Sequence, residues 1–441
     1  MAVATLLPGH RWTNWGRVES ADPVWVARPT SVDDVVDVVR RADELDVPVK
    51  AVGAGHSFTP IAAASGILMN LDGLDGLLAV DAARRQATLG AGTHLYQVPT
   101  LLEPHGLAME NLGDIDRQTI AGATSTGTHG TGGGFRGLAA QIVGVTLVTA
   151  SGSILRVNEN ENAELLPAVR LGLGALGILV DITVQCVPEF VLHALERPEP
   201  LDATLESFEQ RVADADHFEF YWFPHTDSVL TKTNTRMPAD TTRIPLGTVT
   251  RWIDDEFLAN GLFAATCATG RLIPAAVPNI NRLATRLSGN REFTDISTSV
   301  FTTQRRLRFR EMEYAIPRAL VPDAVRDIRA LINDRGWRIS FPIEVRAAAA
   351  DDVWMSTAYG RESGYIAVHR YWRENHREYF HFVENILRGY GGRPHWGKIH
   401  FQDRESLSTV YPKFADFTAV RDRLDPHRRF TNDYLNRVLG A

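Results

Sequence analysis

Cysteine is nearly absent, with Cys186 and Cys267 the only two in 441 residues. That excludes a disulfide framework and a cysteine-ligated metal site, and it fits a reducing compartment. Blocks of like charge are also missing. The net charge of −7, with histidine neutral, is dispersed along the chain, which argues against a nucleic-acid footprint and a polybasic membrane surface. No apolar run reaches the ~20 residues of a spanning helix. The most apolar late stretch, Leu262 to Val277, is interrupted by Arg271 and Pro274 and reads as a buried helical region. Met1 to Asn14 lacks the basic start and long apolar core of a secretory signal, so stable membrane insertion is not expected and a cytoplasmic address is. Repeats and low-complexity tracts are missing too. What remains is an ordinary globular composition, 44% hydrophobic and 22% charged, in a chain long enough for two domains.

The apolar run Val47 to Ala51 leads into Val52-Gly53-Ala54-Gly55-His56-Ser57-Phe58, a strand entering a glycine loop that presents one imidazole. Glycines one residue apart let backbone N–H groups close on an anionic ligand, and the next side chain leaves the turn pointing at it. An ordinary turn followed by a capped loop histidine has the same spelling. A second stretch shifts the balance towards a ligand. From Asn111 to Gly134 the chain is glycine-rich, and after Ala121 almost every residue is Gly, Ala, Ser, Thr or His. Bounded by regular structure, it reads as a phosphate cradle rather than a linker. Small side chains admit a pyrophosphate, while hydroxyls and N–H groups serve as donors in place of a lysine.

Ser31, followed by Asp33 and Asp34, caps a predicted helix ending near Asp46. Strands are predicted at 47–52, 66–71, 77–81, 86–90, 142–149, 153–157 and 178–187, with helices at 93–104 and 164–171. This first domain closes at residue 188. A second domain, 189–400, is richer in aromatics and arginine, with strands at 218–223, 306–312, 338–347 and 365–371 and a helix at 323–333. A helix at 407–424 and the tail after Asp425-Pro426 return to the first domain as segment 401–441. The fold class is α+β. In Phe341-Pro342-Ile343-Glu344-Val345-Arg346, alternation puts Glu344 and Arg346 together on one face. A surface ion pair on a polar stripe is an equal reading. Pro394-His395-Trp396-Gly397-Lys398-Ile399-His400 is too dense in chemistry for a routine strand, although a Trp-anchored turn with a snorkelling lysine would share its pattern. His56, His129, His395 and His400 sit in separate loops without convergent carboxylate spacing, so no metal is expected.

With these motifs in place, the chain resembles the aldonolactone oxidases, within the vanillyl-alcohol-oxidase type of flavoproteins, over nearly its whole length. The likeness rests on Gly53-Ala54-Gly55-His56-Ser57, His105 to Gly113, Thr126-Gly127-Thr128-His129-Gly130, Trp222 to Thr226, Pro342 to Arg346 and Pro394 to His400. The pairing of E-x-R with H-W-x-K-x-H is the specific part. The resemblance implies an FAD-binding domain of the PCMH/vanillyl-alcohol-oxidase type and an α+β substrate (cap) domain with an antiparallel sheet. It implies FAD bonded through its 8α-methyl to His56. The pyrophosphate would lie against Gly53, Ala54, Gly55, Ser57 and the loop containing Gly122, Ala123, Ser125, Thr126, Gly127, Thr128 and His129. Gly177 and the backbone from Ile178 to Ile182 would lie beside the adenine end, and Gly113, Asp114, His395 and Lys398 would approach the flavin. Glu344, coupled to Lys398, would accept the substrate's hydroxyl proton, with Arg346 stabilising negative charge. His369, Tyr371 and Trp396 would contact substrate.

The implied reaction is oxidation of a sugar lactone at the carbon next to its carbonyl, by hydride transfer to flavin N5, giving an ascorbate-type product. Asp114 and Tyr371 depart from the residues that polyol oxidases carry, which favours lactones over acyclic polyols. Gly113 leaves an oxygen path open, so O2 is the expected acceptor. The alternatives are a lactone dehydrogenase with another acceptor and an alditol oxidase. A metal-dependent hydrolase and a non-catalytic flavin carrier are the rivals from other classes.

Overall fold

Ser31 starts the first helix by accepting the Asp34 amide at 3.2 Å, while the Asp34 carboxylate accepts from Ser31 N–H at 3.0 Å. This capping box begins Val32–Glu44, which buries Val35, Val36, Val38, Val39 and Ala42. The computed structural model describes residues 5–247, 263–287, 289–303 and 307–441. Met1 to Ala4, the Leu262 start of the apolar stretch and the Arg306 start of a predicted strand lie outside the described residues.

Three main sheets organise the chain. In the first, Trp25–Ala27, Ile67–Asn70 and Val49–Val52 run parallel, with Leu7–Pro8 antiparallel on the edge. The second is antiparallel in the order Ile154–Asn158, Ile142–Val148, Ile178–Pro188, Gln86–Gly90, Leu77–Asp81, and Leu107–Met109 pairs with the far end of Ile178–Pro188. One apolar core joins both sheets and takes in Phe414, Phe417, Phe430, Tyr434, Leu435 and Leu439 from the C-terminus. Polar contacts fasten that return. Val49 N–H donates to Arg429 O at 2.8 Å, and Asn432 Nδ2 donates to Pro60 O and Ala63 O at 2.9 Å.

The third sheet has eight antiparallel strands, in the order Arg291–Ile296, Phe190–Pro200, Ser228–Pro238, His217–Trp222, Ile343–Ala348, Ser363–Tyr371, Phe309–Pro317, Arg393–Pro394. Alternation divides its two faces. Phe218, Phe220, Trp222, Met312, Tyr314, Ile343, Val345, Ile366 and Val368 join a buried cluster with residues of helices Val321–Asp334 and Arg377–Gly389. The opposite face carries the charges.

Several predicted elements differ. The 93–104 helix shortens to Val98–Leu102 and a 3-10 turn, because Pro99 and Pro104 each remove a backbone donor. The 407–424 helix divides into Arg404–Val410 and Phe414–Leu424 around Pro412. The glycine-rich stretch contains a helix, Ile120–Thr126, capped by Thr119 Oγ1 on Gly122 N–H at 3.2 Å. Strands Phe190–Pro200, Ser228–Pro238 and Arg291–Ile296 had no prediction, since their largely polar sequences, the first two ending in proline, lack a clean apolar alternation. Among the described residues no helix is long and apolar enough to cross a membrane.

Candidate active site

The strand Val49–Val52 delivers the glycine loop, and two structures hold it. Trp15 N–H donates to Gly55 O at 2.8 Å, and Asn14 Nδ2 donates to Ser57 O at 2.9 Å. Gly55 has φ +68°, and a Cβ there would sit 3.2 Å from the Trp12 ring, so both backbone and space require glycine. From the other side Phe58 N–H donates to Gly397 O at 2.6 Å, and Thr59 Oγ1 donates to Trp396 O at 2.9 Å. A Cβ at Gly397 would lie 3.1 Å from Ser57 Oγ. The two predicted motifs, 340 residues apart in sequence, are therefore laced edge to edge.

Two cavities of about 880 and 960 Å³, their open mouths included, meet at this lacing. His56, Ser57, Gln118 and Thr126 line both. Joined at these shared residues, the pair suits a long ligand with a separate substrate space. The cavity on the glycine-loop side is lined by Gly53, Ala54, Gly55, Thr59, Thr119, Gly122, Ser125, Gly174, Gly177 and Leu179, and among the described residues its only charged lining residue is Lys50. Backbone N–H groups, hydroxyls and one amine, with no carboxylate, are the donor set a pyrophosphate needs. Lys50 is fully buried and donates to Gly174 O at 2.7 Å and Phe430 O at 3.1 Å. Burial, reinforced by Arg421, pushes its amine down to about 7.

The second cavity opens over the charged face of the eight-stranded sheet. Register sets Tyr221 opposite Glu344, Glu344 opposite Ala367 and Ala367 opposite Glu313, with Glu311 opposite His369. Ala367 keeps the floor low between the two acidic groups. Glu344 is paired with Arg346 and accepts from Tyr221 Oη at 2.9 Å; Arg346 Nε also donates to Glu219 at 3.0 Å. Burial raises the Glu344 carboxyl, Arg346 opposes this, and Glu219 and Asp114 add to it. Lys398 is paired with Glu311. Burial would lower its amine, but Glu311 and Glu313 outweigh burial and raise it. The same partners act in reverse on Glu313, which burial would raise and which His129 and Lys398 hold well below the usual carboxylate range.

Three imidazoles surround this floor. His56 stacks on Trp15 at 5.3 Å between ring centres. Burial, with Lys398 nearby, pushes it down to about 4, so it is neutral near pH 7. His395 accepts from Gly397 N–H at its Nδ1, at 3.0 Å, and burial lowers it to about 3. His129 stacks on Tyr365 at 3.6 Å and places Nε2 3.4 Å from Glu313. Two groups, His129/Glu313/His395 and Glu311/Glu344/His369, bring their ligand atoms within 4.8 Å of one another. In each, however, the carboxylates already face Lys398, Arg346 or His129, and the buried cations beside them oppose a metal ion.

The structure brings Gly113, Asp114, Thr128, His129, Glu344, Arg346, His369, His395 and Lys398 to the charged cavity, and Gly53, Ala54, Gly55, Gly122, Ser125 and Gly177 to the other. Five expectations need correction. Trp396 is fully buried, donates from Nε1 to Met355 O at 2.8 Å and lines neither cavity. It anchors a turn. Tyr371 lies one pleat beyond His369, in an apolar cluster with Phe58, Phe309 and Phe341. Of the stretch Ile178 to Ile182 only Leu179 lines the cavity wall, beside Gly177; Ile178 and Ile182 belong to the core and line neither cavity, because their side chains alternate with Leu179. Ala123 is buried inside its short helix, and Gly127 ends that helix without reaching either wall. Finally, Glu344 acts on Lys398 only as a minor charge at longer range; the direct partner of Lys398 is Glu311, and those of Glu344 are Arg346 and Tyr221. Trp15, Lys50, Gln118, Glu219, Tyr221, Glu311 and Glu313 were missed. A lysine inside an apolar strand, and acids alternating in Phe309-Arg310-Glu311-Met312-Glu313, were the available signals.

The profile of the FAD binding domain matches residues 23–158, which makes the chain an FAD-dependent oxidoreductase and agrees with a cofactor cavity that meets the polar sheet face. In fold the chain is similar to a cholesterol oxidase from Brevibacterium sterolicum, with a TM-score of 0.83 and 18% identity over 99% of this chain and 98% of that one. The chain belongs to the D-arabinono-1,4-lactone oxidase family, whose profile matches residues 182–438. It is 43% identical to an L-gulono-1,4-lactone dehydrogenase of Mycobacterium tuberculosis over 97% of this chain and 99% of that protein. It is 34% identical to an L-gulonolactone oxidase of Bos taurus over 98% of both.

Proposed function

We propose that the protein oxidises an aldono-1,4-lactone, such as L-gulono-1,4-lactone or D-arabinono-1,4-lactone, at the hydroxyl-bearing carbon next to the lactone carbonyl. The observation that carries this reading is the Glu344–Arg346 pair standing beside Lys398–Glu311 at the end of the cofactor cavity. Residues 1–188 hold the FAD, 189–400 cap it and 401–441 close the structure back onto the first part. His56, neutral and stacked on Trp15, has a free lone pair for covalent attachment of the flavin 8α-methyl. The two free, buried cysteines agree with a cytoplasmic address.

When bound, the flavin would supply the two-electron acceptor for the substrate's hydride. The chain's residues manage the proton and the charge. Glu344 accepts the hydroxyl proton, and its raised proton affinity makes it a better base near neutrality than an ordinary carboxylate. Arg346 and Lys398 stabilise the negative charge that grows on the substrate oxygen, and His369 borders the same space. The keto-lactone product tautomerises to an ascorbate-type enediol.

For the acceptor, we infer O2, with Gly113 at the cavity wall. A Cβ there would lie 3.1 Å from Thr128 Cγ2 and 3.2 Å from His129 O, so any larger residue must press on the cavity lining. The 43% identical relative named a dehydrogenase favours a second reading, with a dye, quinone or cytochrome in place of O2. Anaerobic mixing of the purified flavoprotein with L-gulono-1,4-lactone, D-arabinono-1,4-lactone and a straight-chain polyol, followed by admission of air, tests all of this. Bleaching by a lactone and rapid recovery in air is the expected result. Bleaching by the polyol alone would overturn the substrate assignment, and recovery only with an added dye would replace the oxidase with a dehydrogenase.

A further inference from the structure

Tyr221 lines the substrate cavity, Glu219 does not, and one hydroxyl joins them. Two residues apart on one strand, both project from the same face of the sheet. Tyr221 Oη is 2.9 Å from Glu344 Oε1 and 3.1 Å from Glu219 Oε1. Arg346 closes the ring from the neighbouring strand, with Nε 3.0 Å from Glu219 Oε2 and Nη2 on Glu344 Oε1.

This ring does not balance with both acids ionised. A phenol has one hydrogen, and an ionised carboxylate only accepts. Tyr221 then satisfies one carboxylate and turns a lone pair towards the other. With one more proton every contact is satisfied: the Glu344 carboxyl donates to Oη, and Oη donates to Glu219. That is the proton count immediately after Glu344 has taken a hydroxyl proton from substrate.

We propose that Tyr221 and Glu219 form a proton relay, passing the proton from Glu344 through Oη to Glu219 and on to solvent, so that Glu344 is ionised again before product leaves. The inference rests on the assignment of Glu344 as the base. In the relay the Glu344 O–H bond breaks as a Tyr221 O–H forms, and the original Tyr221 O–H breaks as Glu219 gains its proton; no electrons are transferred. Burial and the two carboxylates hold the Tyr221 hydroxyl far above its ordinary range, so the two shifts are concerted and no tyrosinate forms.

The surroundings give the relay a direction. Side-chain exposure rises from 9% at Glu344 to 12% at Glu219 and 22% at Lys232. Lys232 Nζ lies 4.0 Å from Glu219 Oε1 and 5.3 Å from the Tyr221 ring centre, placing a cation at the outer end of the ring. Beyond it stand Glu196, 3.6 Å from Lys232, and Arg291 paired with Glu196. Asp114 and His369 face Glu344 from the cavity side.

The test compares the flavin-loaded wild type with Tyr221→Phe and Glu219→Gln, mixed anaerobically with L-gulono-1,4-lactone in weak buffer containing a pH-indicator dye. Wild type should release the hydroxyl proton, one per flavin, in step with bleaching, and a further proton only later, as the ascorbate-type product forms and its enediol ionises. In both variants release should lag behind bleaching by at least about tenfold, whatever the bleaching rate. Release in step with bleaching in either well-folded variant would overturn the relay. The infrared carboxyl band of the resting holoenzyme, followed against pH, is the second readout. A protonated carboxyl whose band and midpoint move in Tyr221→Phe supports the shared proton, and an unmoved band rejects it. If lactone fails to bleach even the wild type, the proposed reaction falls, and the infrared result alone decides the relay.

Discussion

Replacing Lys398 by Met keeps most of the aliphatic stem and removes the charge that faces Glu311 on the cavity floor. Glu311 and Glu313, alternate residues on one strand, would then keep imidazoles as their nearest partners, His369 at 3.5 Å and His129 at 3.4 Å. Deleting one member of a buried ion pair destabilises a protein by about 3–5 kcal/mol, because the other charge stays behind. Losing a charge that stabilises a developing oxyanion slows turnover by about 10²–10³-fold. The two effects separate by pH. In wild type, burial would raise Glu311, but Lys398 outweighs it and holds the carboxyl below its unfolded value. That contribution is present above the ordinary carboxylate pKa and is lost as pH falls through the depressed one. The variant's stability deficit should therefore be full at neutrality, begin to shrink below about pH 4 and fall away towards the depressed value of about 2. Thermal unfolding across this range, with kcat and KM for lactone, measures both. Lys398→Met combined with Glu311→Gln should recover most of the stability and none of the turnover. Near-normal turnover in the single variant would refute the role of Lys398 in catalysis, and recovery in the double variant would reduce it to a counter-ion for Glu311.

Acid precipitation should leave yellow flavin in the wild-type pellet and move it to the supernatant in His56→Ala; flavin in the wild-type supernatant would reject the covalent bond. Lys50→Met reports on linkage. A folded pKa of about 7 against ~10.4 unfolded means the unfolded chain holds the extra proton between these values. Stability from this group therefore rises with pH across that window, by roughly 5 kcal/mol at most. The Tm of wild type minus that of Lys50→Met should climb from pH 7 to pH 10, and a flat difference would contradict the burial argument. Trp396→Phe leaves the buried Met355 carbonyl without its donor, so a loss of about 1–3 kcal/mol with unchanged KM is expected; a raised KM would return Trp396 to the substrate site. Gly113→Ala should slow reoxidation by air more than reduction by lactone in stopped-flow records, and equal effects would remove Gly113 from the oxygen path.

Local pattern made part of the site legible. A glycine pair before His56 announced a turn that only small residues make, and Gly55 is held there by a positive φ and the Trp12 ring. Alternation placed Glu344 and Arg346 on one face, and the register confirms that they share it. The H-W-G-K run was singled out for its density, yet its tryptophan and lysine go opposite ways. Trp396 is drawn into the core with its N–H on Met355, while Lys398 reaches the cavity. His400 goes with the core too. Tyr434 Oη donates to Trp396 O at 3.1 Å and therefore accepts from His400 Nε2 at 2.7 Å.

By itself the sequence determined what short-range physics controls: the absence of disulfides, the glycine turns, the helix capped at Ser31, and the residues that alternate onto each face of a strand. It did not determine which acid meets which cation. Glu311 and Lys398 are 87 residues apart and Tyr221 and Glu344 are 123 apart, so no local spacing links them. Their meeting depends on strand register. That register is set on the opposite, apolar face, where Phe220, Ile343, Val345, Ile366 and Met312 pack in one cluster, and a slip of one residue would turn each of these side chains towards the charges. The tertiary structure therefore decided the pairing of Glu344 with Arg346 and Tyr221, and of Lys398 with Glu311.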